Sequence, residues 1–255
     1  MPRLRRTVLV LAAVAVVVVI DAAWLAPASL LDSRLARITN GMVRIADAGG
    51  TIWHARGVVV AGTARIPIAW RIEPWPLLFG EARLHATPGS GAVAGSPRAD
   101  VTIGRNSISL RDLDLTIPAS VIATATGRIA AEVVAGAVNV KSASLDWKPP
   151  ASRGEAQIFW RGAGLAFISG TVPLNLGDLQ MNLTADGNQL SGPVSNDGGD
   201  LDIRGNATIR EVDGVRLLLT LAPRRSDNTQ LTLALAAIGA ADGTGWRVDW
   251  RLPLQ

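Results

Sequence analysis

The 255-residue chain is 48% apolar and 18% charged, which is enough apolar content for a large core but less charge than the roughly 25% of an average soluble domain. Its net charge of +4 rests largely on Arg3, Arg5 and Arg6; the remainder is close to neutral, with signs interspersed and no Tyr, so no nucleic-acid-binding stripe is present. The absence of Cys excludes disulfides, thiolate catalysis and cysteine zinc sites, and neither His54 nor His85 has a partner at helical metal-ligand spacing.

The first element is the apolar run Thr7–Ile20, preceded by the basic residues 1–6. Alone it falls short of the about 20 residues that cross a bilayer; counted through Ala26 it suffices. Trp24 then takes the place of an interfacial aromatic, and Pro27 ends the helix. Arginines before the span and none close behind it put the N-terminus in the cytoplasm and the rest outside. Ala26-Pro27-Ala28 also matches a signal-peptidase site, so cleavage is the alternative; the long run and Leu-rich flank favour an anchor over 7–26. Asp21 is costly at membrane depth, by about 2.5–3.5 kcal/mol. Either it contacts a partner transmembrane helix or the helix sits shallow, with the carboxylate among outer headgroups.

Residues 27–45 read as a membrane-proximal linker. Within it, Leu30, Leu31, Leu35 and Ile38 have helical spacing over Ser29–Ile38. From residue 46 the period becomes two. Ile66, Ile68, Trp70 and Ile72 alternate with smaller or charged residues. So do Leu113, Leu115 and Ile117, then Leu179, Met181 and Leu183, then Leu231, Leu233 and Leu235, and finally Trp246, Val248, Trp250 and Leu252. Each predicts a half-buried strand. Asp-Gly pairs at 186–187, 197–198, 213–214 and 242–243 predict hairpin turns, because Gly accepts positive φ there. The Ala-rich stretch Ser120–Val138, interrupted by Gly127 and Gly136, reads as strand and loop. Ser90–Pro97 and Lys148–Gly154 read as loops, the second a candidate subdomain boundary within 46–255. The fold expected is all-β: an extended, curved antiparallel sheet or an open β-sandwich, preceded by one transmembrane helix. An immunoglobulin sandwich, at about 100 residues, is too small for the stretch after residue 40.

No motif for catalysis, cofactor or metal emerges. There is no dinucleotide fingerprint and no nucleophile elbow, and the Asp197, Asp200, Asp202 cluster lacks EF-hand spacing. Candidate interaction residues are Asp21, Trp53, Trp75, Arg224 and Arg225. Trp70, Trp160, Trp246 and Trp250 are expected in the core. Trp75 lies between Pro74 and Pro76, where the chain must leave the sheet or run along its edge; core burial is favoured for it, contact with a partner or membrane surface being the alternative. Arg224-Arg225, after Pro223, read as a solvated turn, with an acidic partner or phospholipid headgroup as the alternative.

Several segments in order carry a family resemblance. They are the basic-flanked anchor ending in Pro27-Ala28, Gly50-Thr51-Ile52-Trp53, Trp70, and Trp75-Pro76-Leu77-Leu78-Phe79-Gly80. Further on come Asn196-Asp197-Gly198-Gly199-Asp200, Gly205, Asp213-Gly214 and Leu221-Ala222-Pro223-Arg224. The chain resembles protein N of the bacterial type II secretion system, departing from it at His54-Ala55-Arg56-Gly57, where a more polar turn is expected. The resemblance implies a single-pass inner-membrane protein of a Gram-negative cell with a periplasmic domain. It implies no enzymatic role, and it names other inner-membrane secretion subunits or the outer-membrane secretin as partners. A second reading is a membrane-tethered β-groove that binds or transfers phospholipid; an open apolar groove on the sheet would favour it, and a side-chain-filled core would oppose it. A periplasmic hydrolase lacks any candidate constellation.

Overall fold

The computed structural model describes residues 24–62, 64–89, 98–126, 134–165, 174–225, 229–243 and 245–252. Among these residues fourteen strands form one antiparallel sheet in which sequence neighbours are almost everywhere spatial neighbours. Helix α1 (Ser29–Ile38) leads in. Then follow β1 (Val43–Thr51), β2 (His54–Ala61), β3 (Ala64–Glu73), the single turn α2 (Pro74–Leu77), β4 (Ala82–Pro88), β5 (Arg98–Ile103), β6 (Ile108–Pro118) and α3 (Ala119–Thr126). The second half comprises β7 (Val134–Trp147), β8 (Ser152–Leu165), β9 (Leu174–Gly187), β10 (Gln189–Asp197), β11 (Leu201–Arg210), β12 (Gly214–Pro223), α4 (Thr229–Ile238), β13 (Ala240–Asp242) and β14 (Gly245–Leu252). The one departure from chain order is at the end, where β14 lies between β12 and β13. The sheet is continuous through the β7–β8 turn at Lys148–Ala151, whose flanking strands pair from Val134–Leu165 to Asp146–Arg153. All four Asp-Gly pairs sit at hairpin turns, and Gly187, Gly198, Gly214 and Gly243 all have positive φ.

Period-two sequence becomes two faces because successive side chains point to opposite sides of a strand. One transverse row, Ile72–Leu84–Val101–Leu110–Leu145, crosses β3 to β7 through directly paired positions. The adjacent row on the other face is Arg71–His85–Asp100–Arg111–Ser144. Apolar side chains therefore line one face and charges the other. At the β5–β6 bulge, between the Arg98–Asp114 and Asp100–Arg111 pairs, Asp112 takes φ 47°, a conformation that Asp tolerates better than most residues.

The apolar face is filled unevenly. In β7–β14, Leu145, Leu183, Leu190 and Val194 form one buried cluster, and Leu176, Leu179, Leu201, Ile203 and Leu221 form another. Among the described residues of β1–β6 the only large buried side chain is Trp70, which packs with Ala28 and Ala55 and donates its indole N–H to the Ile52 carbonyl at 3.2 Å. Ile66, Ile68, Ile72, Leu84 and Val101 remain half-buried.

Two corrections concern helices. Leu231, Leu233 and Leu235 lie on α4, not on a strand. Leu231 and Leu235, four apart, share one helical face and enter the C-terminal core, while Leu233 between them is 66% exposed. Three leucines at alternate positions satisfy both periods, and the high helix propensity of the surrounding Leu and Ala decides. Likewise Ala119–Thr126 is helix α3, so the Ser120–Val138 stretch opens as helix, while its last five residues, Val134–Val138, belong to β7. A third correction is Trp250, which is 46% exposed; it lies beyond the three residues over which β13 covers β14. Trp160 and Trp246 pack half-buried against the core.

The leading sheet edge is closed by the chain itself. The Ile45 and Val43 N–H groups donate to Asp32 Oδ1 and Thr39 Oγ1, and the 26–28 segment exchanges bonds with Gly50 and Ile52. Asp32 is also clamped by Arg44 at 2.8 Å, so α1 is stitched along β1. That arrangement protects an edge from pairing with another chain. At the other side, β13 shields only Gly245–Arg247, and among the described residues no strand lies beyond Val248–Leu252. No helix among the described residues is long and apolar enough to cross a membrane. Asp21 and all of the expected span before Trp24 lie outside the described residues, as does the expected loop from residue 90 to Pro97.

Candidate interaction surfaces

Three surfaces gather the residues singled out by sequence, together with others that sequence did not reveal. The first is the rim where β1–β2, β3–β4 and β5–β6 connect, all at one end of the strands. Trp53, in the β1–β2 turn, is half-buried, its ring 6.2 Å from that of Trp24 and tilted by 35°. Trp24, Leu25, Trp53, Arg71, Ile72 and Pro74 border a shallow hollow of about 450 Å³. Beside it the β3–β4 connection leaves the sheet, as the two prolines require, and forms a knuckle. Trp75 on this knuckle is 69% exposed, so its expected core position is corrected. Pro at 74 and 76 starts a helical turn instead of continuing a strand, and the turn carries the indole away from the apolar face. Leu78 and Phe79 follow it outward, Phe79 being 86% exposed.

The second surface is the charged face. His85 bridges two carboxylates: its Nδ1 lies 2.8 Å from Asp100 Oδ1 and its Nε2 3.2 Å from Glu73 Oε1. The hydrogen bond to Asp100 raises the imidazole pKa, opposed by partial burial and helped by Glu73. Both ring nitrogens are occupied by acids on different strands, which suits an imidazolium strut across β3–β4–β5. Arg111 donates from Nη2 to both carboxylate oxygens of Asp146, at 2.9 and 2.8 Å, and from Nη1 to the Ser144 hydroxyl. Arg216 and Arg251 flank Asp249 on β14, whose carboxyl is lowered to about 2, chiefly by the Arg216 hydrogen bond. Among the described residues no group of three or more His, Asp or Glu side chains is arranged to hold a metal ion. The strut was hidden in the sequence because it depends on register: Glu73, His85 and Asp100 share outward parity, but only the strand pairing aligns them.

The third surface is at the opposite end of β9–β12, where the Asn196–Asp200 motif is a knot rather than an open turn. Asn196 donates to the Leu176 and Leu201 carbonyls at 2.6 and 2.9 Å and accepts from the Ile203 N–H at 2.8 Å. Asp200 and Asn175 exchange two bonds, of 2.7 and 2.8 Å. Gly177, at φ 75°, allows this approach: a Cβ there would stand 2.1 Å from the Asp197 carbonyl oxygen. Arg224 is not a loose cation. Its Nε donates to the Leu201 and Gly198 carbonyls and its guanidinium lies 3.6 Å from Asp202. Arg225 is exposed next to it. The structure thus brings Trp53 close to the Trp75 knuckle and places Arg224 and Arg225 at the far end of the strands.

The knotted Asn196–Asp200 turn, its Arg224 clamp and the Trp53 rim are among the segments that carried the family resemblance, now seen as parts of one sheet. A comparison with family models matches type II secretion system (T2SS), protein N, over residues 41–248. The chain belongs to that family. The match covers every strand from β1 to β12 and reaches into β14. No curated protein and no solved structure matches the chain.

Proposed function

We propose that this chain is an accessory inner-membrane subunit of the type II secretion system of a Gram-negative cell. In this reading it does no chemistry of its own and acts by protein–protein interaction in the export of folded exoproteins across the outer membrane. The family match over residues 41–248 carries the reading. Residues 7–26 anchor the chain, Arg3, Arg5 and Arg6 hold the N-terminus in the cytoplasm, and the sheet stands in the periplasm. The partners are other inner-membrane subunits of the system or the outer-membrane secretin.

The contrast between the two sheet edges supports an interaction role. One edge is capped along β1, whereas among the described residues no strand other than β12 pairs with Val248–Leu252 of β14, where Trp250 is half-exposed. Such an edge accepts a partner strand, with main-chain bonds giving affinity and alternate side chains giving selectivity. The test is purification of the tagged full-length chain from detergent-solubilised membranes of secreting cells. Recovery of secretion-platform subunits or secretin is expected. Recovery of neither, together with undiminished exoprotein secretion after clean deletion, refutes the proposal.

A second reading, phospholipid binding, is favoured by one observation. The apolar row on β3–β6 is only half-buried, whereas the same face of β7–β14 is filled by leucines. Native mass spectrometry distinguishes the readings: stoichiometric phospholipid retained by the purified chain supports the groove, and a lipid-free spectrum removes it.

A further inference from the structure

We infer that the rim formed by Trp24, Leu25, Trp53 and the Pro74–Phe79 knuckle is a bilayer-contact surface that seats the sheet on the leaflet from which the chain emerges. This rests on the proposed anchor over residues 7–26.

The knuckle is built for an apolar surrounding. Pro74 and Pro76 have no N–H to leave unpaired. The N–H groups of Leu78, Phe79, Gly80 and Glu81 all close onto carbonyls of Trp75, Pro76 and Leu77 at 2.9–3.1 Å. With these four N–H groups closed and two more absent at the prolines, the turn carries few free donors into the interfacial region, where stranded polar groups are the main cost of irregular chain. Its outward side chains are Trp75, Leu77, Leu78 and Phe79, a group far more apolar than a water-facing turn needs. The nearest carboxylates are neutralised on the sheet side: Arg83 lies 3.2 Å from Glu81 and 3.7 Å from Glu73, which His85 also contacts. Anionic headgroups therefore meet paired acids, with Arg71 lining the adjoining hollow.

Chain geometry selects the occupant. The apolar run ends at Ile20, only four residues before Trp24, so the proposed anchor over 7–26 delivers Trp24 and Leu25 at its membrane boundary. Trp24 stacks near Trp53, and the hollow they border reaches Pro74, so the knuckle and the emerging chain occupy one end of the sheet. Ile103 and Ile108, exposed on either side of the β5–β6 turn, extend apolar surface along that end. Trp at the boundary of a span, with Phe and Leu nearby, is the composition that favours a membrane–water interface.

The natural chain has no Cys, which permits single labels. In full-length protein, F79C and L233C are each spin-labelled and reconstituted in vesicles of phosphatidylethanolamine and phosphatidylglycerol. Leu233 lies on α4 and is also exposed, so it serves as the water-facing control. The label at position 79 is expected to show a severalfold higher ratio of oxygen to nickel-chelate accessibility than the label at 233. Equal nickel access at both positions, in a chain that resists alkaline carbonate, overturns the footing and leaves the anchor standing. Release by carbonate overturns the anchor and the footing with it. Nickel access at 79 that is lost only when other secretion subunits are added assigns the knuckle to a protein partner and overturns the bilayer assignment.

Discussion

Replacing Asn196 by Ala tests whether the β10–β11 turn is a knot or a solvated loop. The β10–β11 ladder ends at the Ser195–Arg204 pair, so the Ile203 N–H has the Asn196 side chain as its partner. The same side chain serves the Leu176 carbonyl on β9. Leu176 and Ile203 are both buried, so truncation strands one donor and one acceptor away from water. Each such group costs about 1–3 kcal/mol, whereas the Leu201 carbonyl keeps its bond from Arg224. The expected loss is about 3 kcal/mol, a large share of the roughly 5–15 kcal/mol that holds a domain together. Urea unfolding of the two proteins reads it as a lower midpoint at unchanged slope. Arg225→Ala, at the exposed neighbour of the clamp, is the control and should change stability by no more than about 0.5 kcal/mol. Equal midpoints for Asn196→Ala and Arg225→Ala would refute the account of the knot.

Further predictions follow the same geometry. Leu235→Ala should cost about 2–5 kcal/mol because it empties a core position, whereas Leu233→Ala, on the exposed side of α4, should cost almost nothing; equal costs would restore the strand assignment. The raised pKa of His85 means that its strut contributes stability below the unfolded value of 6.5, and that this contribution is lost as pH rises through the folded value. His85→Gln should therefore flatten the pH dependence of the unfolding midpoint above 6.5, and an unchanged profile would dissociate His85 from it. Asp249 has the opposite sign: its bonds to Arg216 and Arg251 stabilise above 3.8 and are lost as pH falls toward about 2. Asp249→Asn should remove that part of the acid-side decline, as followed by thermal melting in acid.

The alternation from Ile66 to Leu252 made a half-buried antiparallel sheet legible, because period two is imposed by the pleat itself. The Asp-Gly pairs marked its hairpins for an equally local reason. What failed was local in another way: Leu231, Leu233 and Leu235 fit both periods, and the choice lay with neighbouring helix formers and with a tertiary surface ready to receive Leu231 and Leu235. Ala119–Thr126 was obscured by the glycines that follow it. The interaction surfaces were only partly legible. Trp75 could be seen to leave the sheet, but its side of exit depended on the helical turn begun by Pro74. Arg224 looked like a free cation because its partners, the Gly198 and Leu201 carbonyls and Asp202, reach it only through the β11–β12 register. The His85 strut and the open β14 edge are properties of pairing, and a single strand does not display them.

The central claim is that the chain serves the type II secretion system through contacts of its sheet. The most direct measurement places a photoreactive amino acid at Trp250, beside the open β14 edge, in the chromosomal copy of a secreting cell. Irradiation should yield a covalent adduct with an identified subunit of the secretion system, diminished when that subunit is deleted. Irradiation that gives no adduct with any secretion subunit from Trp250, in cells that export their exoproteins normally without this chain, would contradict the account.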